Sequence, residues 1–157
     1  MDRYQWLLVF HVAGAFMALG GAMMAAIFNV AALRRERPSE VVVLFRLTRY
    51  AVTAITSGMV VALAFGLWLI SDADYSWGDA WIVVALILWV VANALGGMGG
   101  RRDKRTREFA EQRVAAGDQP SAELRARLRD PLSLALSWGS GLAVLTILAL
   151  MIWKPGA

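Results

Sequence analysis

The sequence predicts an all-α polytopic membrane protein: a four-transmembrane-helix bundle with a cytoplasmic helical hairpin between helices 3 and 4. Three observations carry that reading. Hydrophobic residues make up 59% of the 157, against ~45–50% in an ordinary soluble domain. Four apolar runs, 6–33, 50–70, 81–95 (extendable through Gly96 and Gly97) and 132–153, contain no Asp, Glu, Lys or Arg. Each approaches or exceeds the ~20 residues a helix needs to cross ~30 Å of hydrocarbon. The third observation is charge placement: 14 of the 16 basic residues fall in the first and third loops, leaving Arg3 and Lys154 for the other side. Basic loops stay in the cytoplasm, so both termini are expected outside it. Only helices and closed barrels satisfy their backbone in lipid, and runs without two-residue alternation are helices.

Helix 1 is expected over about 5–33. Its positive charge, "RRER", follows the apolar run. A signal peptide carries its charge first and has a shorter apolar stretch, so this is read as a retained helix. Helix 2, about 40–71, starts early: Pro38 and Ser39 end the loop and Glu40 suits a helix N-terminus. Its first turns should lie on the membrane surface. The following "SDADYSWGDA" is acidic and short. Helix 3 is expected over about 79–98 and a cytoplasmic segment over 99–130. There Lys104/Glu108 and Arg107/Glu111 are opposite charges four apart, and "GDQPS" is the turn. Asp130 and Pro131 are the N-cap and first-turn proline of helix 4, about 131–153. Trp6, Trp68, Trp77, Trp81 and Trp153 fall at the outer ends, where indoles favour the headgroup boundary. The whole chain, 1–157, reads as one domain.

The basic residues are topology signals rather than a nucleic-acid surface. Cysteine is absent, which removes disulfides, thiolate metal sites and cysteine nucleophiles. The spans hold no carboxylate or cationic side chain, which excludes a di-iron bundle and leaves out the ionisable residue that an ion-coupled pathway normally needs. "LGGMGGRR" ends a membrane helix rather than following a strand and is a poor phosphate loop.

Small residues recur in steps of four: Gly14, Ala18, Ala22 and Ala26 on helix 1, and Gly58, Ala62 and Gly66 on helix 2. This spacing lets two backbones approach closely in lipid. It serves packing within the chain, a homodimer seam, or a flat slot for a planar cofactor; a scaffold subunit would dock through it into a larger membrane complex. His11, the only histidine, lies one turn from Gly14, and Asn29 lies 18 residues further on, a whole number of turns. All share one face, which should point into the bundle because an imidazole turned to lipid is costly. Two readings stand side by side. In one, His11 is neutral and hydrogen-bonds a neighbouring helix. In the other it is an axial metal ligand. One histidine cannot build a zinc site, but haem b brings four ligands of its own and needs one or two from protein. Met151, near the outer end of helix 4, or a second copy's His11, would supply the other; Arg3 and Lys154 are the outer cations available to propionates. Methionines at 17, 23, 24 and 59 would suit copper, but at helical spacing methionine usually packs.

The pieces "HVAGAFMALGG", "GLWLISDADYSWGDAW", the basic segment and "MIWKPG", in that order, resemble domain-of-unknown-function family 2269, bacterial four-helix membrane proteins, over nearly the whole chain. The most specific positions are His11 with Gly20 and Gly21, Gly66, Trp77–Gly78–Asp79 and Lys154–Pro155–Gly156. The family is distantly similar to copper-resistance-D-like proteins and the membrane protoporphyrinogen oxidase, in which a first-helix histidine is implicated in haem binding. Only His11 matches that position; the oxidase's other histidines and charges have no counterparts, and Ala18 stands where relatives often carry tryptophan. The resemblance thus implies a non-catalytic haem b protein in electron transfer, sensing or haem handling. The alternative is a cofactor-free accessory or scaffold subunit, or a self-associating bundle.

Overall fold

The computed structural model describes residues 2–72 and 75–155. Ala73 and Asp74 of the acidic connection, and Gly156 of the closing motif, lie outside the described residues. Five helices follow one another: α1 (Arg3–Ala32), α2 (Pro38–Asp72), α3 (Ala80–Ala115), α4 (Ala122–Leu128) and α5 (Pro131–Trp153). Four helical stretches, beginning with α1, α2 and α3 and ending through α5, are long and apolar enough to cross a membrane. No strand occurs among the described residues.

The third helix is longer than its apolar run. It does not stop near Gly97 but continues through the charged segment to Ala115, about 54 Å at 1.5 Å per residue. Its second half, from Arg101 on, therefore stands outside the apolar span as the first arm of the hairpin. The reason is local: "RRDKRTREFAEQRVA" consists mostly of good helix formers, and the pairs Lys104–Glu108 and Arg107–Glu111, both at 3.7 Å, brace it. Gly117 (φ 112°) and Asp118 (φ 55°) then turn the chain in the left-handed region, and α4 returns over one short stretch.

The helices form two close pairs, α1 with α2 and α3 with α5, joined along α2 and α3; α1 and α5 barely touch. Three buried clusters are stacked along this frame. At the basic end, Val41, Phe45, Ala110, Leu124 and Leu128 close around Ala32. In the middle lie Ala18, Met59, Ala92 and Ala143, and at the opposite end Ile70, Trp81 and Ile82. The large apolar residues left exposed, such as Phe16, Met23, Ile27, Val90, Leu142 and Ile152, form the perimeter a lipid-embedded bundle presents to hydrocarbon.

Polar ties hold the ends. Asp118, from the α3–α4 turn, caps α2 from a distance: the Ser39 amide donates to Oδ1 at 2.8 Å and the Ser39 hydroxyl to Oδ2 at 2.6 Å. Those donors hold the Asp118 carboxyl below the usual carboxylate range. Asp130 caps α5 through the Ser133 amide (3.0 Å) and hydroxyl (2.9 Å) and also accepts from Arg102 Nη1 at 2.6 Å, joining α3 to α5. These bonds lower the Asp130 pKa likewise. At the opposite end Arg3 pairs with Asp72.

Candidate functional site

The α1–α2 seam is built on missing side chains. A Cβ on Gly14 would stand 2.6 Å from the Ala62 backbone nitrogen, and one on Gly58 would stand 2.5 Å from that of Ala18. Glycine is required at both places by the approach of the opposite backbone. Further along, the contact passes to Gly21, whose Cβ would lie 2.8 Å from the Ala51 carbonyl oxygen, while Ala22 is only half-buried. Steps of four drift around a helix of 3.6 residues per turn; the buried set Gly14, Ala18, Gly21 alternates four and three and stays on one line.

His11 lies on that seam. Its Nδ1 is 2.7 Å from the carbonyl oxygen of Ala62. A carbonyl only accepts, so Nδ1 carries a proton and donates; in the neutral form of the ring that leaves the lone pair on Nε2. The partner is backbone, not a helix 2 hydroxyl: Thr53, Thr56 and Ser57 donate to carbonyls of their own helix. A helical carbonyl already bonded within its helix still has a second lone pair, but a side chain four residues on usually covers it. Here that residue is Gly66, and a Cβ on it would fall 2.9 Å from His11 Cε1 and 3.0 Å from Nδ1. Gly66 is therefore a notch that admits the ring rather than a third rung of backbone packing.

Because α1 and α5 diverge, a cavity of about 440 Å³ opens between the pairs. His11, Ala18, Ala62 and Gly66 line it from the seam, Met59 and Trp89 lie deeper, and Tyr75, Trp81, Met151 and Lys154 line the rest. Its volume lies in the ~300–1,000 Å³ range of small-molecule and cofactor sites, and its wall is similarly apolar with few polar groups. Trp89 Nε1 donates to the Met59 carbonyl at 3.4 Å. Lys154 Nζ donates to the Tyr75 hydroxyl at 2.6 Å and lies over the Tyr75 and Trp81 rings, 4.8 and 5.8 Å from their centroids. The Trp81 indole nitrogen is buried without an acceptor among the described residues. Arg3 is elsewhere: it does not line the cavity and is paired to Asp72. Among the described residues no three His, Asp or Glu side chains gather to hold a metal ion, and Met17, Met23 and Met24 are exposed, on the outside of the bundle.

A haem would need three things that these residues can offer: a second imidazole nitrogen beside the one bonded to Ala62, apolar and aromatic walls, and donors for its carboxylates in the Lys154 ammonium and the orphaned Trp81 indole. The orphaned Trp81 donor and the Gly66 notch were the parts of the site that sequence reasoning missed. Antiparallel register was the available signal. With Gly14 against Ala62 and Ala18 against Gly58, stepping back one turn to His11 steps forward from Ala62 towards Gly66.

No curated protein and no solved structure matches this chain. The family model described as "Predicted integral membrane protein (DUF2269)" matches residues 5–155. With four helices fit to span a bilayer and a matched family model covering almost their whole length, the chain is an integral membrane protein of the DUF2269 family.

Proposed function

We propose that this protein is a non-catalytic haem b-binding bundle of the bacterial inner membrane, its basic end in the cytoplasm, serving electron transfer, sensing or haem handling. One observation carries the reading: His11 Nδ1–H is tied to the Ala62 carbonyl at 2.7 Å on the wall of a large apolar cavity. Metal-ligating histidines nearly always hand their other ring N–H to a carbonyl or carboxylate, which fixes the tautomer and raises the basicity of the ligating nitrogen. His11 Nε2 would hold the haem iron, Met151 on α5 would be the second protein ligand, and Lys154 would be the cation for a propionate. Bound haem would supply reversible one-electron chemistry. The chain's own part is to orient the imidazole, exclude water with Trp89, Trp81 and Tyr75, and hold a positive charge at the outer end. A cofactor-free scaffold docking through its small-residue stripes is the competing reading, and those stripes face each other across α1 and α2.

The test is an absorption spectrum of the detergent-purified protein, produced with ample haem, beside His11→Ala. A stoichiometric Soret band in the parent that the variant loses is the expected result. A colourless, folded parent with haem available would overturn the proposal. Nitrogen NMR of the haem-free protein reads the same geometry independently: His11 should carry its proton on Nδ1, and an Nε2–H tautomer would remove the ligand.

A further inference from the structure

A second cavity lies at the basic end, between α2 and α3, with a volume of about 390 Å³. Phe45 and Val52 give it an apolar wall; Arg49, Lys104 and Arg107 give it three cations, with Asp103 among them. Arg49, itself exposed, immediately precedes the apolar run of α2, and Gly100 on the opposite wall closes the apolar half of α3. The cavity thus sits at the depth where hydrocarbon gives way to headgroups.

Its donors are ionic. Thr48 and Thr53, which also line it, donate to the Leu44 and Arg49 carbonyls at 3.0 Å each. Their hydroxyl protons are therefore not free for a ligand. Arg49 has no acidic partner among the described residues, whereas Lys104 and Arg107 have Glu108 and Glu111 behind them at 3.7 Å. The Arg107 Nε is buried and has no hydrogen-bond acceptor among the described residues; its 3.7 Å approach to Glu111 is a charge contact only.

We propose that this cleft seats the headgroup phosphate of an anionic phospholipid, held by Arg49, Lys104 and Arg107, with an acyl chain leaving along Phe45 and Val52. Basic pockets between membrane helices on the cytoplasmic side recognise lipid headgroups in this way. The apolar wall and the depth favour a lipid over a free phosphate. A zwitterionic headgroup would bring its own cation against three others.

Asp103 looks unfavourable beside a phosphate, but it makes no ion pair among the described residues, and burial raises its carboxyl from 3.8 to about 6. The charged groups that face it in the cleft are Arg49 from α2 and Lys104 and Arg107 from its own helix. Protonated, it ceases to repel the phosphate and offers a donor. Binding should therefore tighten as pH falls through about 6.

The test is binding of phosphatidylglycerol and of phosphatidylcholine to the full-length protein in neutral detergent, at pH 5 and pH 8, with and without millimolar inorganic phosphate. Phosphatidylglycerol should bind more tightly than phosphatidylcholine, and more tightly at pH 5 than at pH 8. Arg49→Gln, at an exposed position, should weaken it roughly fivefold, the share of one cation near a membrane surface. Asp103→Asn should keep the tight binding at both pH values, and Glu108→Gln, by freeing Lys104, should tighten it. Equal binding of the two lipids, no effect of Arg49→Gln in a variant with unchanged helical melting, or displacement by inorganic phosphate would each overturn the proposal.

Discussion

Three glycine-to-alanine changes separate the parts of the α1–α2 seam, because the added methyl meets something different in each. At Gly58 it would stand 2.5 Å from the Ala18 backbone nitrogen and 2.6 Å from the Gly14 carbonyl oxygen. Neither can rotate away, so the helices must part by about 1 Å to restore a normal contact of ~3.5 Å. A gap of that size forfeits a quarter to a half of each dispersion well; over a few tens of atom pairs at ~0.1–0.2 kcal/mol each, this comes to about 2 kcal/mol. Alanine's better helix propensity returns up to ~1 kcal/mol, leaving a net loss of about 1–2 kcal/mol. At Gly20 nothing lies within 4 Å, so only the propensity gain remains, between zero and ~1 kcal/mol of stabilisation. At Gly66 the methyl meets only the His11 ring. That ring can swing out, losing an interhelical hydrogen bond worth ~0.6 kcal/mol, so stability should hardly change while haem binding falls. The assay is reversible unfolding in mixed micelles, followed by tryptophan fluorescence, with the Soret band measured on the same samples. Gly58→Ala as stable as Gly20→Ala would refute the close backbone approach. Gly66→Ala with an unchanged Soret band would refute the notch.

Two further predictions concern the basic end. Asp118 has its pKa lowered by the Ser39 donors, so its tie to α2 is complete above the usual carboxylate range and is lost as pH falls through its depressed folded value. Asp118→Asn tolerates the left-handed backbone but removes the charge; it should speed amide exchange in the first turn of α2 at pH 7 and abolish the parent's acid dependence there. Leu124, 2% exposed, is the main apolar side chain by which α4 is anchored. Leu124→Ala should cost about 2–5 kcal/mol of local stability, seen as proteolysis between 116 and 130 with the spans intact; unchanged protection would show that the cluster does not hold α4.

The particular elements show why some of this was legible and some was not. Charge-free runs of some twenty residues can be little else in lipid, so the spans were readable, as was the Asp130–Pro131 start of α5, a local signal of cap and first turn. That α3 runs on unbroken past its apolar run to Ala115, on the propensity of charged helix formers, was not readable, because hydropathy marks where hydrocarbon stops and not where a helix does. His11 could be assigned to an inward face by periodicity, and Met151 and Lys154 to the outer end. Which groups meet there depends on register and on the divergence of α1 from α5, and neither is a local property. Arg3 shows the limit: its charge and depth suit a propionate, yet Asp72, 69 residues away, pairs with it.

The sequence alone determined the all-α membrane architecture, the sidedness of its charge and the presence of one imidazole among apolar residues, because these follow from composition and from 3.6-residue periodicity. Only the tertiary structure decided that Gly66 opens the Ala62 carbonyl to His11, that Arg3 is committed elsewhere, that Asp118 caps the first turn of α2 at Ser39, 79 residues back, and that the two cavities exist at all. Each depends on how far one backbone stands from another. A chain written in one dimension does not carry that distance until its small residues have been brought face to face.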